Sequence, residues 1–327
     1  MDRISSYNSN NDGYFNNNMM PNFSRMSGIK LAFIAAIISG FAVFINKFGV
    51  GLWANSSVYT TAKNIVAAIF LTALLFILKK SVELRKLSKN QWAKLLFIAF
   101  VGGSVPFLLF FKSLTLVSAT EAAFIQKTLF IWVAILAYPF LKERLDRIQF
   151  IAFGILLVGV YLFGAPSEWS FGTGSAMALG ATILWAIESV IAKKALAEIS
   201  ATTVAWARMF FGSLFLLLWL IFTGDIAGII PSSAPQGVWA LAVGIVLFGY
   251  VVSWYSALQK APATTVSSIL VLAAPITAIL DGIIVKHAFP TKVIVPFLLM
   301  LVGTLLITKQ ISYLYSKPVK KRNELPA

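Results

Sequence analysis

The sequence predicts an all-α membrane protein: ten transmembrane helices in two inverted five-helix repeats, with both termini cytoplasmic. Three observations predict it. Of the 327 residues, 59% are hydrophobic and only 12% charged, about half the charge of a water-soluble domain, which is roughly 25%. The mean hydropathy of +0.84 is spread over apolar runs that reach the ~20 residues a bilayer requires. Finally, Leu301-Val302-Gly303 repeats Leu157-Val158-Gly159, and the same offset of 144 residues carries Ala278-Ile279-Leu280 onto Ala134-Ile135-Leu136. That offset also pairs Leu258 with Leu114, Ala263 with Ala119, Thr264 with Thr120 and Lys286 with Lys142. An internal repeat in so apolar a chain points to transport, because two repeats that rock about a shared interface give alternating access to a site between them.

The expected spans are residues 28–48, 58–78, 92–114, 119–140 and 148–163 in the first repeat. In the second they are 172–195, 202–222, 238–258, 263–285 and 293–311. Five is an odd number, so the second repeat enters the membrane from the opposite side and a pseudo-two-fold axis lies in the membrane plane. The organisation is therefore a tail over 1–27, repeats over 28–163 and 172–311, and a basic cytoplasmic tail over 312–327. The first 27 residues are Asn-rich and aperiodic. They read as a disordered cytoplasmic tail, without the apolar core and small-residue cleavage site of a signal peptide.

The net charge of +15 is a topology signal. Lys79, Lys80, Arg85, Lys86, Lys89 and Lys94 lie between the second and third spans, and Lys317, Lys320, Lys321 and Arg322 lie in the tail, whereas residues 166–174 and 224–237 carry only Glu168 and Asp225. Basic loops stay in the cytoplasm, which places both termini inside a multi-pass protein of the cell membrane, a bacterial inner membrane fitting best. Anionic lipid headgroups account for the high pI. The expected partners are the lipid bilayer and a small-molecule substrate, with no nucleic acid; a homodimer is compatible with the sequence. Cysteine is absent and His287 is the single histidine, which removes thiolate and disulfide chemistry and most metal sites. No cofactor and no metal are expected.

Phe140-Leu141-Lys142-Glu143-Arg144-Leu145 at the end of the fourth span, followed by a glycine-bearing fifth span, resembles the "LGERL" ending of the EamA branch of the drug/metabolite transporter superfamily. Ala274-Pro275-Ile276 resembles that family's proline-containing ninth helix. The resemblance runs from Gly28 to Lys309, with three departures: Lys142 replaces the usual glycine, Ile131 stands where a repeat of Pro275 would fall, and His287 where a repeat of Glu143 would fall. It implies a central cavity lined mainly by the first, third, fourth, sixth, eighth and ninth helices.

A charge near the bilayer centre costs about 3 kcal/mol on insertion scales, so each such residue needs a partner, water or a role. Gln126 and Lys127 lie well inside the fourth span and head the substrate-binding set. The alternative for Lys127 is a stem reaching the interface or a structural pair with Glu121. Glu188 follows Trp185 by one turn on a small-residue face with Ala178, Ala181 and Ala192; it suits a cavity wall, a proton-coupling group, or a structural pair with Arg208. Tyr250 and Trp254, one turn apart in the eighth span, have polar tips that need partners when buried, and complete the binding set.

Lys47 and Lys193 match at an offset of 146, and Lys63 and Arg208 at 145, giving symmetric cations at the two faces. These four, with Glu121 and Asp281, form a gate or coupling set, the alternative for terminal lysines being headgroup contact. Asp281 has Lys286 and Lys292 within reach as structural partners. No Walker loop or hydrolytic dyad emerges, so no enzyme is expected. In the outer half Lys47, Lys63, Lys112 and Lys127 outnumber Glu121 and Asp281. The leading reading is secondary export of a small polar, carboxylate-bearing metabolite such as an amino acid. A membrane-embedded lipid-processing enzyme or flippase accessory subunit is the alternative.

Overall fold

The computed structural model describes residues 22–53, 55–113, 116–117, 119–164 and 172–316, side chains of 22–25, 119–120 and 309–316 excepted. Among the described residues, ten helical spans are long and apolar enough to cross a bilayer, and their order reproduces the two-by-five plan. The first two are α1 (Asn22–Val50) and α2 (Ser56–Ile77), followed by a short α3 (Ser81–Leu84) in the basic connection. The third span is divided into α4 (Lys89–Gly103) and α5 (Val105–Ser113), and the fourth into α6 (Ala119–Lys127) and α7 (Leu129–Leu141). Then come α8 (Arg147–Gly164), α9 (Thr173–Ala195), α10 (Ala201–Thr223) and α11 (Ala234–Lys260). The ninth span is α12 (Ala263–Leu270) and α13 (Ala273–Leu280), closed by a π turn over Asp281–Val285, and α14 (Ile294–Ser316) is the tenth. Helix α1 begins at Asn22 and α14 runs to Ser316. Residues 22–27 and 312–316 are thus helical rather than tail; the remaining tail residues lie outside the described ones.

Local chemistry sets these boundaries. Asn55 accepts the amide of Ser57 ahead of α2 at 2.8 Å, and Ser88 and Gln91 form a reciprocal capping box on α4. Gly224, at φ 79°, ends α10 in the left-handed conformation that glycine adopts without strain. Lys142 takes the same region at φ 55° after α7. That is where the related "LGERL" ending has its glycine, and the left-handed backbone is the physical reason a glycine suits the position.

The two repeats interleave. The first span packs on the eighth (α1 on α11) and the sixth on the third (α9 on α4 and α5); the second packs on the eighth (α2 on α11) and the seventh on the third (α10 on α4). The first packs on the ninth (α1 on α13) and the sixth on the fourth (α9 on α7). Second with seventh, fourth with ninth and fifth with tenth are self-paired (α2 with α10, α7 with α12, α8 with α14). Each contact maps onto another when five is added to the span number, as an inverted two-fold requires. Glycine lets the central helices approach: a Cβ on Gly103 would sit 2.4 Å from the Arg208 carbonyl oxygen, and on Gly244 2.5 Å from Val66. The lipid-facing rim keeps Ile77, Phe150, Leu218 and Phe222 exposed.

A candidate solute site around a broken third span

The third span breaks at Ser104, whose backbone (φ −134°, ψ −73°) is not helical. Pro106 follows two residues later. It has no amide hydrogen, so the Gly102 carbonyl four residues before it loses its helical donor. Two side chains from the second repeat take that oxygen: Trp185 Nε1 donates at 3.2 Å and Arg208 Nη2 at 3.1 Å. Gly102 also leaves the space they need, since a Cβ there would lie 2.3 Å from Glu188 Cγ and 3.2 Å from Arg208 Nε.

Around this carbonyl the structure gathers a buried polar cluster. Glu188 is 2% and Arg208 6% exposed. Tyr255 of α11, itself fully buried, donates its hydroxyl hydrogen to Glu188 Oε1, and the Arg208 guanidinium lies 5.9 Å from the Tyr255 ring centre. The Glu188–Arg208 ion pair, one of the alternatives the sequence leaves for Glu188, is not among the ion pairs of the described residues. Both side chains close on Gly102, Arg208 bonding its carbonyl together with Trp185, while Glu188 takes the Tyr255 hydroxyl. Arg208 Nε remains without a hydrogen-bond partner. Tyr250 stacks on Trp254, ring centres 6.1 Å apart and planes 25° apart, so these two aromatics partner each other beside the cluster.

A second polar group lies in the half of the bundle towards the turn between α1 and α2. Lys63, 5% exposed, donates to Asn46 Oδ1 at 2.9 Å, the oxygen that also accepts the Tyr59 hydroxyl at 3.0 Å. The Asn46 amide is fixed by its own bond to the Ala42 carbonyl at 2.7 Å. Rings of Phe111 (5.3 Å), Tyr59 (5.4 Å) and Phe107 (6.0 Å) surround the ammonium. Among the described residues no carboxylate pairs with Lys63. Phe107 and Phe110 pack on Trp185 with ring centres 5.5 and 5.6 Å away. Trp185 is therefore the join between the Lys63 group and the Gly102 cluster.

The remaining expected residues are dispersed. Gln126 and Lys127 are half-buried in the last turn of α6, just before a break at Thr128 whose hydroxyl bonds the Ile125 carbonyl at 2.6 Å. No described hydrogen bond or ion pair joins them to the Gly102 cluster or joins Lys127 to a carboxylate. Glu121 is buried and accepts the Ser175 hydroxyl. Asp281 pairs with Lys47 and, at 3.2 Å, with Lys286; Lys292 takes no part. Lys193 donates to the carbonyls of Leu258 and Ala261 at 2.6 and 2.8 Å. Asn46, Tyr59, Tyr255 and Gly102 were not singled out in the sequence. A glycine four residues before a proline inside an apolar span was the available signal for the last, because that spacing frees a carbonyl.

Comparison with known proteins agrees with this architecture. The EamA-like transporter family matches the chain twice, over residues 26–165 and 172–309. An uncharacterized transporter of Bacillus subtilis, YetK, is 29% identical over 238 residues, 69% of this chain and 70% of its own. An uncharacterized transporter of Clostridium kluyveri is 22% identical over 69% of this chain and 75% of its own. A solved crystal structure superposes with a TM-score of 0.72 over 88% of this chain and 98% of its own at 16% identity, which shows the shared fold.

Proposed function

We propose, from the premise that this chain belongs to the EamA-like transporter family, that it is a secondary transporter exporting a small carboxylate-bearing metabolite, an amino acid fitting best. The observation that carries the reading is Lys63. A cation this deeply buried, with aromatic faces and one amide oxygen around it and no counter-ion, costs free energy that packing alone does not recover. Each aromatic face returns on the order of 0.5–2 kcal/mol but leaves the charge in place. A substrate carboxylate neutralises it.

In this reading Lys63 is the main anion handle, with Gln126 and Lys127 on α6 as a second. Trp185, Tyr250 and Trp254 offer apolar surface to the substrate body. Glu188, held by Tyr255 and close to Arg208, serves a substrate ammonium or carries a coupling proton. Glu121, Lys47, Asp281, Lys193 and Arg208 belong to gates or coupling. The face bearing Lys79, Lys80, Arg85 and Lys86 is cytoplasmic by the distribution of basic residues.

Counterflow in liposomes tests the site: the protein is reconstituted with a pool of unlabelled amino acids inside and labelled ones outside. Exchange should occur without ATP, and Lys63→Gln should weaken it at least about tenfold while leaving expression and melting intact, since a full charge is being removed from a poorly screened site. Undiminished exchange by Lys63→Gln would reject Lys63 as the handle. Lipid turnover without solute flux would reject transport of such solutes.

A further inference from the structure

On the basic face, α11 ends at Lys260 and α12 begins at Ala263, joined by Ala261-Pro262. Pro262 is the N-cap residue of α12 and has no side-chain acceptor to offer its amides. Both helix ends are satisfied from elsewhere. Lys193, 7% exposed, donates to the Leu258 and Ala261 carbonyls at the end of α11, at 2.6 and 2.8 Å. Glu143, 8% exposed, accepts the Ala263 amide at 2.8 Å, the Thr264 amide at 3.0 Å and the Thr264 hydroxyl at 2.8 Å. A cation on the carbonyl end and a carboxylate on the amide end each match the helix dipole they touch. Lys193 comes from the sixth span and Glu143 from the end of the fourth, so this one turn is tied to both.

The inverted two-fold gives every such contact a counterpart on the opposite face, and there the chemistry differs. Lys193 corresponds to Lys47, which is 53% exposed and bound to Asp281 instead. Glu143 corresponds to His287, which carries no carboxylate, is exposed and sits at φ 50°. One face is thus held by buried, charge-assisted bonds to helix ends and the other by an exposed, salt-screened ion pair. A matched pair of breaks adds a means of movement: the fourth span is interrupted at Thr128 and the ninth at Val271 and Leu272, and Thr128 and Leu272 are 144 residues apart, equivalent positions in the two repeats.

We infer that Glu143 and Lys193 are the gate of the basic face. Their bonds to the turn between α11 and α12 keep that face shut and have to break for solute to pass it, whereas the Lys47–Asp281 pair yields first. The state in which the basic face is closed is the resting one.

Because the chain has no cysteine, single reporters can be placed without background. Ser268→Cys reports on α12 just inside the gate, and Ser213→Cys, in the middle of α10, on general loosening; both serines are buried. Thiol labelling rates in purified protein, well below the melting midpoint, should rise about fivefold or more at position 268 with Glu143→Gln and with Lys193→Met. They should stay level at position 213, and Lys47→Met should leave position 268 unchanged. An unchanged rate at 268, an equal rise at 213, or an equal effect of Lys47→Met would overturn the gate. No substrate enters this assay, so its outcome is independent of the Lys63 test.

Discussion

Two lysines of similar appearance in the sequence part company in the structure. Lys47 is exposed and paired with Asp281, an arrangement whose worth is typically 0–1 kcal/mol. Lys127 lies half-buried inside the fourth span, with no described ion pair. If both are offered to a carboxylate, the less hydrated one interacts more strongly. Lys127→Ala is therefore expected to raise the substrate concentration for half-maximal counterflow severalfold, and Lys47→Ala to change it by less than about twofold; equal effects would count against a binding role for Lys127. At the same scale, the depth of Trp185, Glu188 and Arg208 was readable, because a charge or indole in the middle of an apolar run has to be explained. Asn46 and Tyr59 were not. An amide or a phenol near the end of a span looks like an ordinary interfacial residue until its neighbours across the bundle are known.

Among the elements, the ten spans were legible almost to their ends, since an apolar run of bilayer length leaves the backbone no solution but a helix. The breaks were legible in part. Pro106 and Pro275 each remove the donor for the carbonyl four residues earlier, at Gly102 and Val271. Thr128 has no such proline; its hydroxyl competes for the Ile125 carbonyl and accepts from Trp132 Nε1 at 3.1 Å, partners that sequence alone does not pair. The start of α10 depends on a residue from a different connection. Glu83 accepts the Ser200 amide at 2.9 Å and the hydroxyls of Ser200 and Thr203 at 2.5 and 2.6 Å. Burial works to raise its pKa, but these bonds and the nearby Lys80 ammonium outweigh burial and hold the carboxyl below the usual carboxylate range. A folded-state pKa below the unfolded value gives stability that is present above the ordinary carboxylate range and lost as pH falls through the depressed value. Glu83→Gln should accordingly lower the melting midpoint by about 2 °C at pH 7, as for a cap worth about 1 kcal/mol. The difference should close as the pH drops below about 4, the carboxylate reference range. A gap that persists in acid would point to packing rather than charge.

For the whole molecule, the even spread of apolar surface hides orientation, and only the basic connections carry it. A membrane-impermeant thiol reagent applied from outside intact cells should modify Ser232→Cys, in the exposed connection before α11, and spare Ser81→Cys in the basic connection. The reverse pattern would invert the orientation. A reporter at Ser167, equally expected outside, falls beyond the described residues. The repeat itself was visible as a 144-residue echo, yet nothing in that echo said that the two halves would be woven together rather than set side by side. Weaving is a property of contacts between distant segments, which one-dimensional periodicity does not encode.

That weaving has a consequence for how the chain is made. Helix α1 ends at Val50, while α11, the helix it packs against, begins at Ala234, 184 residues later (234 − 50). At a translation rate of about 5–20 residues per second, roughly 10–40 s pass between the exit of one partner and the arrival of the other. By the end of that interval Lys63, Asn46, Phe107, Phe111 and Trp185 are all made, yet the face of α1 that α11 later covers stays open to lipid. The half-made chain is thus the most vulnerable form of this molecule. Quality-control proteases and the insertion machinery, rather than the finished bundle, are where many substitutions along the first repeat would first be felt.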